Sequence, residues 1–229
     1  MKIKSIQKTT LIDFPNLIAA SFFCQGCNFN CGFCYNQALI ELADPPYLAK
    51  EEIFSFLEQR KHLLEGVVLT GGEPTLQSDI VPFIKEIKKY PIKVKLDTNG
   101  YLPQVIKELI EKKLVDYIAM DIKAPLYKYR DVVNSEINIE RIKESISLIM
   151  KSRVEYEFRT TIWHDFFTLE DLFEIAELIK GASNYSLQNF YAHNNHKSKI
   201  FKPFNKLELA PFLNGKLLVK KVTLKGDWF

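Results

Sequence analysis

The four cysteines of this chain, Cys24, Cys27, Cys31 and Cys34, fall within one eleven-residue run, Cys24-Gln-Gly-Cys27-Asn-Phe-Asn-Cys31-Gly-Phe-Cys34. Thiols so tightly grouped, with no other in 229 residues, make a poor disulfide framework and a good metal site. Thiolates are soft ligands, which favours zinc or iron–sulfur. Structural zinc usually takes two Cys-x2-Cys knuckles about 15–20 residues apart. Here only three residues separate Cys27 from Cys31, which suits a short loop wrapping one face of a cluster. Zinc stands as the alternative. Cys24 reads as a small apolar residue ending a strand, in preference to a fourth ligand.

With 47% hydrophobic residues, the chain can bury a sizeable core, and its length fits one domain, 1–229. The net charge of +3 is small, and lysines and glutamates mix along the helical stretches. That pattern describes solvated helix faces and argues against nucleic acid as a partner. Asp13 and Pro15 interrupt the N-terminal region, so no signal peptide is expected there. No uncharged stretch is long enough to span a bilayer. A cytoplasmic protein with reduced thiols is the expectation.

Short β-rich runs alternate with amphipathic helical stretches. Ile18–Phe23, Gly66–Leu69, Lys93–Leu96, Tyr117–Met120, Val154–Phe158 and Tyr185–Leu187 read as strands. Helices are expected near Lys50–Glu65, Asp79–Tyr90, Leu102–Leu114, Asn138–Ser152 and Leu169–Lys180. This alternation predicts an α/β fold with a parallel sheet and helical crossovers. Polar residues or glycines cluster at the C-terminal end of every strand, where barrel-type sheets gather their active sites. Six strands are too few to close an eight-stranded barrel, so a partial (β/α)6 TIM-like barrel follows, with its core at about 16–192. Lys2–Leu11 is expected to add an edge strand or hairpin. Residues 203–229 are expected to close the domain with a helix and a final strand, Leu217–Leu224.

Several strand ends carry candidate chemistry. Gly71-Gly72-Glu73-Pro74 offers two glycines at which a ligand could approach the backbone closely, or an ordinary turn. Asp97-Thr98-Asn99-Gly100 could be a helix-entry loop. Asp121 and Lys123 alternate round Ile122 and leave the strand on one face, where they could simply pair. Arg159 shares a charged strand face with Glu155 and Glu157. It is open to a salt bridge with Glu157 or to a ligand carboxylate or ribose. His164, His193 and His196 show no ligand pattern and read as surface or loop residues.

Cys27-x3-Cys31-x2-Cys34, with Phe33 before the last cysteine, resembles the signature of the radical S-adenosylmethionine (SAM) superfamily. The resemblance implies that these three thiolates are catalytic. They would hold three irons of a [4Fe–4S] cluster and leave the fourth iron open to the amino and carboxylate groups of SAM. It also implies the partial barrel, a preference for anoxic conditions, and SAM contacts at Gly71, Gly72 and Glu73. Asp-Thr-Asn-Gly followed by Asp-x-Lys narrows the likeness to the glycyl-radical-enzyme activases. There Asp97, Thr98 and Asp121 would be ligands of a monovalent cation and Lys123 would contact SAM; Asn99 and Arg159 are further candidates for SAM contacts. Thr10-Leu11-Ile12-Asp13-Phe14-Pro15 and Gln25-Gly26-Cys27-Asn28 extend it to the anaerobic ribonucleoside-triphosphate reductase activating proteins.

In such a protein a reduced cluster cleaves SAM, and the 5′-deoxyadenosyl radical removes a hydrogen from a glycine Cα of a partner enzyme. The implied partners are a glycyl radical enzyme, anaerobic ribonucleotide reductase foremost, and a one-electron reductant such as flavodoxin or ferredoxin. One residue departs from the pattern: Tyr35-Asn36 stands where His-Asn is usual, and a tyrosine does not titrate near neutral pH. A radical SAM enzyme making a ring in a small molecule, such as a purine analogue, is the alternative activity.

Overall fold

The computed structural model describes residues 1–41, 46–190, 202–214, 218–226 and 228. In chain order its elements are β1 (Ile3–Thr10), β2 (Ala19–Cys24), α1 (Lys50–Arg60), β3 (Gly66–Gly71), α2 (Ile80–Ile87), β4 (Lys93–Thr98), α3 (Pro103–Glu111) and β5 (Tyr117–Asp121). The short α4 (Tyr129–Val133) and then α5 (Ile139–Lys151), β6 (Glu155–Ile162), α6 (Leu169–Leu178), β7 (Tyr185–Asn189), α7 (Ala210–Asn214) and β8 (Val222–Lys225) complete it. Their contacts gather into two compact units, Met1–Ala119 with Asn138–Glu155, and Met120–Ile137 with Tyr156–Phe229.

In the first unit β1 pairs antiparallel with β2, and β2, β3 and β4 follow as parallel neighbours in the register Ala19–Gly66–Lys93. Ala19, Ala20, Phe22, Val67, Val68 and Leu69 are fully buried. Such near-continuous apolar runs belong to parallel strands covered on both faces. Helix α2 buries Ile80, Phe83, Ile84 and Ile87, the one-sided stripe of a helix laid on a sheet. Helix α5 starts where the Asn138 side chain accepts from the Glu140 N–H at 3.0 Å, and it buries Ile142, Ser145, Ile146 and Ile149. Lys113, at φ 53°, enters the left-handed region just past α3 and ends that helix short of the expected Leu114.

In the second unit β6, β7 and β8 are parallel, with Phe158, Tyr185 and Val222 in line. A capping box opens α6: Asp171 donates its N–H to Thr168 Oγ1 at 3.3 Å and accepts from the Thr168 N–H at 2.8 Å, which satisfies two otherwise orphaned donors.

Most expected elements are present with shifted ends. Strands run further than apolar content suggests: β3 includes Thr70 and Gly71, β4 reaches Thr98, β5 reaches Asp121 and β6 continues to Ile162. Parallel ladders are held by backbone hydrogen bonds, so polar side chains can continue them. The edge strand before β2 is observed. The final strand is shorter than expected, Val222–Lys225, and Leu217, His193 and His196 lie outside the described residues.

Candidate active site

The cysteine run leaves the end of β2 in the first unit. Cys24 is wholly buried there, and its carbonyl accepts the Gly72 N–H at 2.8 Å. Burial pushes its thiol up, and the Glu73 and Asp79 charges add to the shift. A thiol held protonated is a poor metal ligand, which fits the strand-end reading of Cys24. Beyond it the loop is fixed from several sides. Gln25 donates from Nε2 to the Ala38 carbonyl at 3.1 Å, and its own carbonyl accepts from Gln77 Nε2 at 2.9 Å. The Gly26 and Cys27 N–H groups bond to the carbonyls of Leu39 and Ile40 at 2.8 and 2.9 Å.

The fit of an iron–sulfur cluster can be judged from the thiol surroundings. The Phe29 N–H points at Cys27 Sγ from 3.4 Å, and Asn99 Nδ2 lies 3.9 Å from the same sulfur. Donors aimed at sulfur stabilise a thiolate and tune a cluster bound to it. Among the described residues no three His, Cys, Asp or Glu side chains are gathered as round a single ion. The thiolates of an iron–sulfur cluster each meet a different iron, a wider arrangement than one ion's shell. Three thiols on one braced loop, with N–H groups directed at sulfur, suit the cluster.

Gly71-Gly72-Glu73-Pro74 closes over this loop for a reason sequence reading did not supply. A Cβ on Gly71 would come within 2.7 Å of the Cys24 nitrogen, and one on Gly72 within 2.2 Å of the Gly26 oxygen. The two glycines are therefore required by the chain's own backbone, whether or not a ligand also approaches. Glu73 N–H bonds the Gly26 carbonyl at 2.8 Å, and Asn36 Nδ2 reaches the Gly71 carbonyl at 3.5 Å. Asn36 thus ties the cysteine loop to the glycine loop, while its neighbour Tyr35 is half exposed.

Glu73 is 1% exposed. Its Oε1 accepts from the Thr75 N–H at 3.1 Å, Thr75 Oγ1 at 2.6 Å and Thr98 Oγ1 at 2.8 Å, and its Oε2 from the Asn99 N–H at 2.7 Å. Burial pushes its carboxyl up, against the pull of these hydrogen bonds. The side chain clamps the glycine loop to Asp97-Thr98-Asn99-Gly100. Asn99 Nδ2 donates onward to Asn28 Oδ1 at 2.9 Å, and Ser145 Oγ of α5 braces the Gly100 carbonyl at 2.5 Å. Glu73→Gln sets an amide NH2 against the N–H of either Thr75 or Asn99, whichever way it is turned. A loss of about 1–3 kcal/mol is expected for so buried a mismatch, measurable as a lower urea midpoint at unchanged slope.

The carboxylates expected to hold a cation are already engaged. Asp97 Oδ1 lies 2.6 Å from Nζ of Lys95, a lysine that is 1% exposed. Thr98 Oγ1 donates to Glu73 and accepts from the Gly100 N–H at 3.1 Å. In the second unit Asp121 accepts from Lys123 Nζ at 2.9 Å and from Arg159 Nε at 2.7 Å. Burial alone would raise the Asp121 carboxyl, but Arg159 and Lys123 outweigh it and hold the group well below the usual carboxylate range. In each unit, then, the carboxylate already meets a cationic side chain of its own chain. Glu157 instead accepts from Lys225 Nζ, at 2.7 and 2.9 Å, and from Ser186 Oγ at 2.8 Å.

Sequence reading missed Lys95, Thr75, Asn28 and Ser145. Only Lys95 carried a usable signal, its alternation with Asp97 on one strand face.

Residues 21–179 match the radical SAM superfamily. The chain belongs to that family. The cysteine loop, the glycine loop and Asn99 of this radical SAM protein all lie inside the matched region. It is 35% identical over 193 residues, 82% of this chain and 79% of the relative, to a Methanocaldococcus jannaschii protein described as a candidate glycyl-radical enzyme activating enzyme. A second protein of that organism, described in the same way, is 30% identical over 75% of this chain and 67% of its own length. Among solved structures, Streptococcus suis SuiB bound to S-adenosylmethionine superposes with a TM-score of 0.69 at 16% identity. That match covers 89% of this chain and 49% of SuiB, so the chain spans about half of that protein. The likeness establishes the α/β fold with parallel strands, of the incomplete-barrel type the sequence led us to expect. Among the described residues no helix is long and apolar enough to cross a membrane.

Proposed function

We propose that this radical SAM protein is a glycyl-radical-enzyme activase. The observation that carries the reading is the 35% identity over most of both chains to a relative so described, joined to the Cys27, Cys31 and Cys34 loop. When bound, the cluster and SAM supply reductive cleavage of the sulfonium and so a 5′-deoxyadenosyl radical. The chain's own part is to hold and position. Cys27, Cys31 and Cys34 hold the cluster, and the Phe29 N–H and the Asn99 side-chain amide point at Cys27 Sγ. Gly71 and Gly72 let the glycine loop pack directly on the backbone of the cysteine run, and Glu73 fixes that loop against the Asn99 loop. Lys123 and Arg159, held by Asp121, present positive charge for the SAM carboxylate.

The partner in this reading is a protein with a C-terminal glycine loop, anaerobic ribonucleotide reductase foremost. The reductant is a flavodoxin or ferredoxin, and the setting is the anoxic cytoplasm. Deuterium at the target glycine Cα of the partner is expected to appear in 5′-deoxyadenosine, together with a glycyl-type doublet in the electron paramagnetic resonance spectrum. SAM cleavage with neither signal, tested against every glycyl radical protein of the cell, would give preference to chemistry on a small molecule.

A further inference from the structure

The activases that this chain resembles set a monovalent cation beside SAM, yet here the carboxylates named for that cation already meet lysine and arginine. In β4, Lys95 and Asp97 leave the strand on one face, opposite Val94 and Leu96. The Lys95 side chain is 2% exposed. Its Nζ stands 5.8 Å from the centre of the Tyr117 ring, and Tyr117 packs in an apolar cluster with Phe14, Ala19, Val68 and Ala119. An ammonium placed there needs a carboxylate to stay charged, and among the described residues Asp97 is the carboxylate that meets it, at 2.6 Å. A cation drawn to Asp97 would stand close to that ammonium and be repelled by it. Asp121, in the second unit, carries two cationic partners, Lys123 and Arg159. A third positive charge would raise a local excess that already exists.

We infer that Lys95 at Asp97, and separately Lys123 and Arg159 at Asp121, supply from within the chain the positive charge that related activases draw from a monovalent ion, and that this protein binds SAM without one. Lys95 is then a positioning residue. It holds the carboxylate at the end of β4, one residue before the Thr98–Glu73 bond that fixes the Asn99 loop. The inference rests on the SAM-binding reading above and adds to it a built-in source of charge.

The test uses the reconstituted holoprotein in potassium, sodium and tetramethylammonium buffers of equal ionic strength. Radiolabelled SAM is followed by equilibrium dialysis, and thallous ion, as the monovalent probe, by thallium NMR. SAM affinity is expected to vary by less than about threefold between salts, with no saturable thallous site. A larger loss in tetramethylammonium, or a saturable thallous site in the wild type, overturns the inference. Lys95→Met leaves Asp97 without its ammonium and is expected to create a thallous site. It should also bring a loss of about tenfold in SAM affinity when potassium is withdrawn. A folded Lys95→Met protein that gains neither overturns the role given to Lys95. Should that variant fail to fold, the wild-type comparison decides the matter by itself. Failure of the SAM-binding reading shows itself differently, as a holoprotein that retains no SAM in any salt, and the thallium spectrum then still reports on the cation.

Discussion

Cys31→Ser is expected to strip the protein of iron and to lower SAM cleavage by more than about 100-fold. Even residues that merely support metal ligands cost about 10–100-fold when changed. Cys27→Ser and Cys34→Ser should behave alike. Cys24→Ala should not, although Cys24 is only three residues from Cys27 in sequence. Its thiol is fully buried at the end of β2 and its carbonyl is held by Gly72, so the substitution removes one sulfur atom from a packed core. That should cost about 1–2 kcal/mol of stability and leave iron per chain unchanged. Iron content by colorimetric assay and thermal midpoint, measured on all four variants, separate the two kinds of cysteine. Equal loss of iron in Cys24→Ala and Cys31→Ser would make Cys24 a ligand after all.

Gly72→Ala should be nearly as damaging, by a different route. The new methyl would lie 2.2 Å from the Gly26 oxygen and 2.8 Å from its carbonyl carbon. Both are backbone atoms, which have no rotamer through which to yield. A cost of about 3 kcal/mol, at the upper end for overpacking, is expected, along with loss of SAM binding as the glycine loop lifts from the cysteine loop. Gly32→Ala is the control. Gly32 lies within the same run of cysteines, yet an added Cβ there meets nothing within 4 Å, so stability should change by less than about 0.5 kcal/mol. A chemical denaturation series on the three proteins checks the order.

What could be read from the chain in advance follows from how far its signals are local. The apolar runs placed the starts of β2 to β7 to within about one residue, because a parallel strand covered on both faces must be apolar along its length, whereas the final strand, expected from Leu217, begins at Val222. Strand ends were harder to place. Asp97 and Thr98 read as a helix-entry loop, yet their backbones continue β4 while their side chains pair with Lys95 and Glu73. The cysteine loop was legible because its spacing is its chemistry. The purpose of Gly71 and Gly72 was not, since the atoms that exclude a side chain there belong to Cys24 and Gly26, some 46 residues earlier. Lys95 stayed hidden because lysine is almost always solvent-facing unless paired. The pairing of Glu157 with Lys225 spans 68 residues, and no local pattern announces a contact of that range.

The antiparallel strand β1 bears on how this protein behaves in concentrated solution. An open flank of a β-sheet offers unpaired amide and carbonyl groups on which another chain can grow, the first step of many aggregates. Here β1 covers that flank of β2, and its outward positions include Lys4, Gln7, Lys8 and Thr9. Near its start the Leu48 N–H caps the Ile3 carbonyl at 2.9 Å, and Lys4 lies over the Tyr47 ring. Near its end Arg60 of α1 donates to Thr9 Oγ1 at 2.8 Å. An incoming strand would have to bury Lys4 and Lys8 and displace these contacts before it gained a single ladder bond. The flank is thus made unattractive to its own kind.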